Sequence, residues 1–527
     1  MSVLSSQVAQ MVVVRASGHL FDHQIRYPAW EPGRDRLQYW LQELGVGGVI
    51  FVDGSAAEMA ARTKLLQSWA KVPLFLAADI EEGVGQRFAG ATWFPPPMAL
   101  GSIANHNLSL AEDYAEKMGA ITASEALAIG LNWVLGPVVD VNNNPDNPVI
   151  NVRSFGDNPE TVSNLATAFI RGCQKYPVLT TAKHFPGHGD TALDSHIELP
   201  MLPHSAARLA KVELTPFQRA IAAGVDSVMS AHLLIPAWDQ QLPATLSPKI
   251  LTEKLRQELC FEGLIVTDAL VMGAIARGYS LASSSVLAVK AGADILLMPE
   301  DPEITIKAVC QAVENGEISP ERIAASCDRI NKAKEKIATR QVSELNLDSL
   351  STPEAKKTVS LILQQSQVRG GLDIQPHKLP SNNLQLQEWR NLVIVDDLLW
   401  CRFLGHHTPA IAYPAKLGCK LQLIDRNSGT LATAETGFSP TLLQLFIRGN
   451  PFGWSAGLTE IARVWFKKLL KTGELKALAI YGSPYTLEEF LPEIPHDLPY
   501  VFSYGQIPTA QAIALESLLG SIDIDKA

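Results

Sequence analysis

Short apolar segments alternate with helical ones through the first part of this 527-residue chain, and this alternation limits the folds open to it. Eight apolar segments, several rich in β-branched residues, predict buried strands at 11–16, 48–52, 73–78, 131–139, 178–182, 226–230, 264–267 and 294–298. Helical spacing of apolar residues falls between them at 56–71, 109–128, 161–175, 205–223 and 280–291. Strands alternating with helices in this way indicate an α/β protein, with a (β/α)8 TIM-like barrel in residues 1–340.

The second part of the chain has a different texture. Residues 341–390 are polar and then rich in Gly, Pro and Asn around one helical stretch, 352–367, which predicts a linker carrying a helix. Alternation then resumes, with strands predicted at 392–395, 421–424, 441–447, 477–481 and 500–503 and helices at 456–471 and 509–519. We expect a smaller α/β layer domain in residues 391–527.

Charge and composition argue against two classes of partner. The formal net charge is −10, and the acidic residues are spread along the chain, whereas nucleic acids and anionic membranes attract basic patches. The amino-terminal segment has no basic stretch before its apolar residues, and no apolar run approaches the roughly 20 residues that span a bilayer. The six Cys are scattered without a Cys-x-x-Cys pair, as is typical of reduced thiols. We expect a cytoplasmic protein without a nucleic-acid or membrane partner; its oligomeric state stays unknown.

Polar side chains stand where the predicted barrel strands end. In chain order they are Asp79, Arg87, Arg153, Lys183, His184, His232 and Asp268. Any one of them could be a helix cap, a turn former or a surface ion-pair partner. The carboxyl ends of barrel strands, however, meet on the one face where barrel enzymes hold their active sites. Their convergence therefore predicts a shared site.

The loop after the fifth predicted strand concentrates ionisable groups, because residues 183–196 hold three His, two Asp and one Lys. Asp194 and His196 are two residues apart, so in an extended segment both side chains project to the same side. The carboxylate can then hold one imidazole nitrogen and stabilise the protonated ring, which suits a general acid and base. A zinc site is the competing interpretation, since imidazole and carboxylate are zinc ligands. The residues available for it are His184, His188, Asp190, Asp194, His196 and His232.

Several of these blocks resemble the bacterial β-N-acetylglucosaminidases of glycoside hydrolase family 3. Residues 183–196 resemble the signature of that subfamily, and 262–272, which contain Asp268, resemble its nucleophile strand. The blocks 79–87 and 144–156 resemble sugar-binding segments, and 481–485 and 507–520 resemble a C-terminal domain found in some members. One block departs from the pattern. Where the family commonly has Asp-Gln-Glu-Gly-Gly-Arg, this chain has Asp-Ile-Glu-Glu-Gly-Val from Asp79 to Val84.

The resemblance implies a retaining exo-β-N-acetylglucosaminidase that needs no metal or cofactor. In this scheme Asp268 is the catalytic nucleophile, which forms a covalent glycosyl intermediate, and His196 backed by Asp194 is the acid/base. The residues implied to hold the sugar hydroxyls and the acetamido group are Asp79, Arg87, Arg153, Lys183 and His184. The implied substrates are small saccharides, namely N-acetylglucosaminides and peptidoglycan fragments in cell-wall recycling. The alternatives are a phosphorylase or a β-glucosidase of the same family, a metal-dependent barrel hydrolase, or a sugar-binding module with a decayed site.

Overall fold

The computed structural model describes residues 2–338, 346–371, 389–399, 401–428, 439–448 and 455–520. The chain divides into two compact units, Met1–Thr358 and Val359–Ala527. Parts of the predicted linker, 341–345 and 372–388, lie outside the described residues.

The first unit contains the predicted barrel sheet. Its eight strands are β1 (Val12–Ala16), β2 (Gly48–Phe51), β3 (Phe75–Ala78), β4 (Trp133–Val134), β5 (Leu179–Phe185), β6 (Ser227–Ser230), β7 (Leu264–Val266) and β8 (Leu296–Leu297). The spatial order is β8-β1-β2-β3-β4-β5-β6-β7, and every neighbouring pair is parallel. A parallel bridge between Val266 and Ile295 joins β7 to the start of β8, so the sheet is nearly closed and the TIM-like prediction is confirmed.

Helices connect these strands and carry the sequence signals expected at their starts. Ser55 and Glu58 form a capping box at one helix, and Asn158 caps another whose first residue is Pro159. The helices are α1 (Val3–Gln10), α2 (Arg34–Gln42), α3 (Ala56–Trp69), α4 (Met98–Ala104), α5 (Leu108–Ala128), α6 (Pro159–Cys173), α7 (Ala206–Lys211), α8 (Leu214–Ala222), α9 (Gly273–Ala276), α10 (Leu281–Ala291), α11 (Pro302–Glu314), α12 (Pro320–Ala338) and α13 (Pro353–Ser366), with a π-helix at Lys249–Glu258. The single helix predicted at 205–223 is two helices, α7 and α8.

Two strands differ in length from their predictions. The fourth is only two residues long, against a predicted 131–139, because Gly136 and Pro137 interrupt the apolar run and proline cannot donate to a ladder. The fifth runs on to Phe185, against a predicted end at 182, because its carbonyls keep accepting from neighbouring strands. The N–H of Val139 donates to Lys183, and that of Ala231 donates to Phe185, at 2.8 and 2.7 Å.

The second unit is a smaller α/β layer. Its strands are β9 (Val368–Gly370), β10 (Arg390–Val395), β11 (Lys420–Ile424), β12 (Thr441–Ile447), β13 (Leu475–Gly482) and β14 (Tyr500–Ser503), and its helices include α14 (Pro409–Lys416), α15 (Ser455–Thr472), α16 (Pro484–Phe490) and α17 (Pro508–Leu519). The order is β9-β14-β13-β12-β10-β11, parallel except for β9. Two features fall within the predicted linker: the unit boundary, inside α13, and β9, an edge strand of this sheet.

Within the described residues, no helix combines the length and the apolar character that crossing a bilayer demands.

Candidate active site

The sequence-predicted site residues lie at the carboxyl ends of the barrel strands. Asp79 follows β3, His232 follows β6 and Asp268 follows β7. Lys183 and His184 lie within β5 itself, near its carboxyl end, because that strand is longer than predicted. Most of these side chains are connected through direct contacts.

A cluster of alternating charges fills one side of the mouth. The Lys183 Nζ atom lies 2.6 Å from Asp79 Oδ1 and 2.6 Å from Glu81 Oε1. The Arg153 guanidinium donates to both Glu81 oxygens, each at 2.9 Å. Lys183 and Glu81 are buried, whereas Asp79 keeps 30% of its side-chain surface exposed. Two cations therefore face two anions, and the outer carboxylate faces solvent.

The pKa values in this cluster favour the charged forms. Burial raises the pKa of Glu81, but the charges of Arg153 and Lys183 outweigh burial and hold that pKa well below its ordinary value. Burial lowers the pKa of Lys183, but Asp79 and Glu81 raise it above its ordinary value. Glu81 is not among the site residues predicted from the sequence. Its position two residues after Asp79, on the same side of an extended segment, was the available signal.

Arg87 folds back onto the same block. Its Nε atom donates to the backbone carbonyl of Asp79 at 3.0 Å. The intervening turn passes through Gly83, whose φ of 83° is in the left-handed region that favours glycine. A β-carbon there would lie 2.7 Å from the carbonyl oxygen of Thr92, so space as well as conformation requires glycine.

His184 is oriented by the fully buried carboxylate of Asp140, which is not among the site residues predicted from the sequence. His184 Nδ1 lies 2.8 Å from Asp140 Oδ2, and its other ring nitrogen lies 3.4 Å from Arg153 Nη2. Because arginine can only donate, Nε2 is the accepting nitrogen and Nδ1 carries the proton. Burial raises the pKa of Asp140, but the imidazoles of His184 and His188 and the His188 backbone N–H lower it below its ordinary value.

Asp268 is held as a carboxylate. Burial raises its pKa, but the nearby imidazoles of His232 and His184, the N–H of Ala269 and the imidazole of His196 together lower it below the ordinary value. The Ala269 N–H donates to Asp268 Oδ1 at 2.7 Å. An ionised, partly desolvated carboxylate is the form a nucleophile requires.

His232 supports the backbone next to Asp268. Its Nε2 atom lies 3.0 Å from the Ala269 carbonyl oxygen, and its Nδ1 atom lies 2.8 Å from Thr245 Oγ1. Since a carbonyl only accepts, Nε2 carries the proton. Burial lowers the pKa of His232. The ring therefore fixes the position of Ala269, whose N–H contacts the Asp268 carboxylate.

Asp194 and His196 form the pair that their spacing suggested. His196 Nδ1 lies 2.7 Å from Asp194 Oδ1, and the same oxygen accepts the His196 backbone N–H at 2.8 Å. The Asp194 side chain is buried, whereas 31% of the His196 side-chain surface is exposed. The pair thus presents an imidazole to the mouth with a buried anion behind it.

The loop that carries this pair is held together by the ring of His188 and is attached to the segment after β7 by a backbone hydrogen bond. The buried ring of His188 contacts Thr191 Oγ1 through Nδ1 and Ser195 Oγ through Nε2, both at 2.9 Å. Burial lowers the pKa of His188 to about 4, so this ring is neutral at neutral pH. On the other side, the Gly273 N–H donates to the His196 carbonyl at 3.0 Å.

The geometry gives little support to the zinc interpretation. Both ring nitrogens of His184, His188 and His232 contact protein groups. In the part of the chain that the structure describes, no three His, Cys, Asp or Glu side chains converge as a metal site would require.

Two family models match this chain. The N terminal domain of glycosyl hydrolase family 3 matches residues 3–333, and the bacterial glycosyl hydrolase family 3 C-terminal domain matches residues 382–520. The first match covers all eight strands of the barrel sheet, and the second covers every strand of the smaller sheet except β9.

Named relatives and a solved structure agree with this assignment. The chain is 34% identical over 327 residues to beta-hexosaminidase A of Pseudoalteromonas piscicida, covering 56% of this chain and 54% of the relative. It is 31% identical over 304 residues to a beta-N-acetylglucosaminidase/beta-glucosidase of Cellulomonas fimi, covering 56% and 53%. The chain thus spans about half the length of these two relatives. The structure of a family 3 beta-N-acetylglucosaminidase from Paenibacillus sp. str. FPU-7 superposes with a TM-score of 0.79 at 30% identity, covering 99% of this chain and 98% of that one.

Proposed function

The chain belongs to glycosyl hydrolase family 3, and from this premise we propose that it is a retaining exo-β-N-acetylglucosaminidase. It removes a terminal β-linked N-acetylglucosamine residue through a covalent intermediate on Asp268. The single observation that carries the proposal is a carboxylate with a lowered pKa in the same barrel mouth as a carboxylate-paired imidazole, that of His196. The names of the relatives and of the solved structure support the choice of an amino sugar.

In the first step, the Asp268 carboxylate attacks the anomeric carbon and forms a glycosyl ester. The bond from that carbon to the glycosidic oxygen breaks, and protonated His196 gives its proton to this oxygen, so the leaving group departs as a neutral alcohol. In the second step, water attacks the anomeric carbon and His196 takes its proton. The ester bond breaks, Asp268 returns to the carboxylate, and two inversions leave the sugar in its original β configuration.

The remaining polar residues hold the sugar in this proposal. Each of them has a hydrogen-bonding side chain whose position is fixed by a contact with another protein group. They are Asp79, Arg87, Arg153, Lys183 and His184. Glu81 does not contact the sugar in this proposal, because it is buried and its two oxygens bind Arg153 and Lys183. We assign it a positioning role.

Cell-wall fragments are the substrates we propose, and the cytoplasm is the compartment. Phosphorolysis is a second candidate, since an imidazole repels an incoming phosphate less than a carboxylate acid/base would. The Cellulomonas fimi relative is named for both activities, which supports β-glucoside hydrolysis as a further candidate.

One experiment separates these possibilities. Aryl β-N-acetylglucosaminides and aryl β-glucosides are incubated with the enzyme, with and without phosphate, and the products are identified by NMR. We expect β-N-acetylglucosamine as the first product, no sugar 1-phosphate, and unchanged rates after chelator treatment. The variant Asp268→Asn should lose at least about 10³-fold in kcat while its circular dichroism stays unchanged. An active Asp268→Asn variant would remove the proposed nucleophile, and inhibition by chelator would favour the metal-dependent alternative.

A further inference from the structure

The segment 17–33, which follows β1, exposes an unusual share of aromatic surface. Phe21 is 62% exposed, Trp30 45% and Tyr27 39%. Elsewhere among the described residues, Tyr39 at 44% is the only other aromatic side chain of this exposure. Apolar side chains that stay exposed to solvent do not stabilise the fold, so a cluster of them indicates a ligand-binding or protein-binding surface.

Two of these rings are held in a fixed arrangement. The rings of Tyr27 and Trp30 are inclined by only 18°, with centroids 6.1 Å apart. The Arg15 guanidinium carbon lies 4.8 Å from the Tyr27 centroid and 5.5 Å from that of Trp30. Glu31 anchors this guanidinium through contacts of 2.9 and 3.2 Å. Because the rings are already ordered, little conformational entropy is lost when a ligand covers them.

The segment lies on the face of the barrel that holds the candidate site. It begins at the carboxyl end of β1, and its Arg26 forms an ion pair with Asp53, just past the end of β2. Arg15 is also close enough to Arg87 for their charges to interact, and Arg87 in turn contacts Asp79. The rings thus adjoin the side of the mouth where the sugar-binding residues lie.

We propose that Trp30 and Tyr27 form a stacking platform for a sugar ring of the leaving group, beyond the bond that is cleaved. One face of a pyranose ring presents C–H groups, which pack against an aromatic face. The platform therefore selects saccharide leaving groups over small ones. This inference rests on the proposed glycosidase function, since it assigns the leaving-group side of that site.

The test compares two substrates that share the same N-acetylglucosamine residue. In N,N′-diacetylchitobiose the leaving group is a sugar, whereas in β-N-acetylglucosaminyl azide it has no ring. We expect Trp30→Ala to lower kcat/KM on the disaccharide at least about tenfold and on the azide less than about twofold. Trp30→Phe should restore most of the loss. Tyr39→Ala is the matched control, because Tyr39 is equally exposed but lies on α2, and it should change neither value.

Equal losses on both substrates, or none, would overturn the platform. A binding measurement separates this result from a failure of the proposed function. The variant Asp268→Asn is titrated with diacetylchitobiose and with N-acetylglucosamine, with and without Trp30→Ala. We expect Trp30→Ala to weaken only disaccharide binding. If the unmodified enzyme cleaves neither substrate, the proposed function fails; if disaccharide affinity is unchanged by Trp30→Ala, the platform fails.

Discussion

Asp194 Oδ1 lies 2.7 Å from His196 Nδ1, while the second Asp194 oxygen, Oδ2, is buried without a hydrogen-bond partner. This contact fixes Nδ1 as the ring nitrogen that faces the carboxylate, so in the proposed mechanism Nε2 is the nitrogen that donates to the glycosidic oxygen.

Replacing Asp194 with Asn should remove this effect while keeping the side-chain shape. We expect kcat/KM to fall by roughly 10²–10⁴-fold on substrates with poor leaving groups, and by far less on activated aryl substrates that need no proton. A series of aryl leaving groups of graded pKa measures the difference as a steeper dependence of rate on leaving-group pKa. Asp190→Asn is the control, because Asp190 is on the same loop but pairs with His204. An unchanged slope in Asp194→Asn would contradict the acid/base assignment.

Ser195 links the acid/base pair to the buried ring of His188, so Ser195→Ala should loosen the pair without altering its chemistry. We expect a loss of about 1–3 kcal/mol in the free energy of unfolding, since a buried ring nitrogen loses its partner. Hydrolysis of the glycosyl intermediate should slow because His196 is less well placed as a base. Added azide needs no base and should restore turnover of activated substrates. Failure of azide to speed the variant would show that Ser195 is structural only.

Glu81→Gln should remove the buried carboxylate that pairs with both Lys183 and Arg153. Removing one partner from a buried ion pair costs about 3–5 kcal/mol, so we expect a lower Tm together with a higher KM. Glu116→Gln is the control, because Glu116 pairs with Arg171 and Lys175 near the surface, where such pairs contribute about 0–1 kcal/mol. Thermal unfolding and steady-state kinetics of both variants measure the contrast. Equal Tm values in the two would refute the buried-cluster argument.

His188 makes stability depend on pH. Burial lowers its folded pKa from 6.5 to about 4, so between these values the unfolded chain binds a proton that the folded chain does not. The free energy of unfolding should therefore be largest above pH 6.5 and fall, by roughly 3 kcal/mol from this residue, as the pH drops towards 4. Urea unfolding at several pH values measures the slope. In His188→Gln the slope should be shallower, whatever its overall stability; an identical slope would refute this origin.

The sequence predicted the barrel well because its signals are local. The predicted runs 48–52 and 264–267 begin where the observed strands begin and end one residue later, since buried parallel strands are continuously apolar. For the same reason, the prediction for the fifth strand ends too early. Lys183 and His184 are polar, yet they continue the ladder because carboxylates in the segments after β3 and β4 compensate them.

The supporting residues of the site were harder to predict because they act across long stretches of chain. Glu81 meets Lys183 and Arg153, and Asp140 meets His184, only after the barrel has formed. A single sequence shows no such pairing. The Asp194–His196 contact could be predicted because both partners lie in one short segment.

Gly273 leaves no spare room beneath the loop: a β-carbon at this position would lie 2.8 Å from the His196 carbonyl oxygen and 2.7 Å from that of Ile197. One methyl group there would push the loop that carries His196, the proposed proton donor, away from the segment after β7 that carries Asp268, the proposed nucleophile. A substitution at position 273 would therefore change the distance between these two residues without altering either of them.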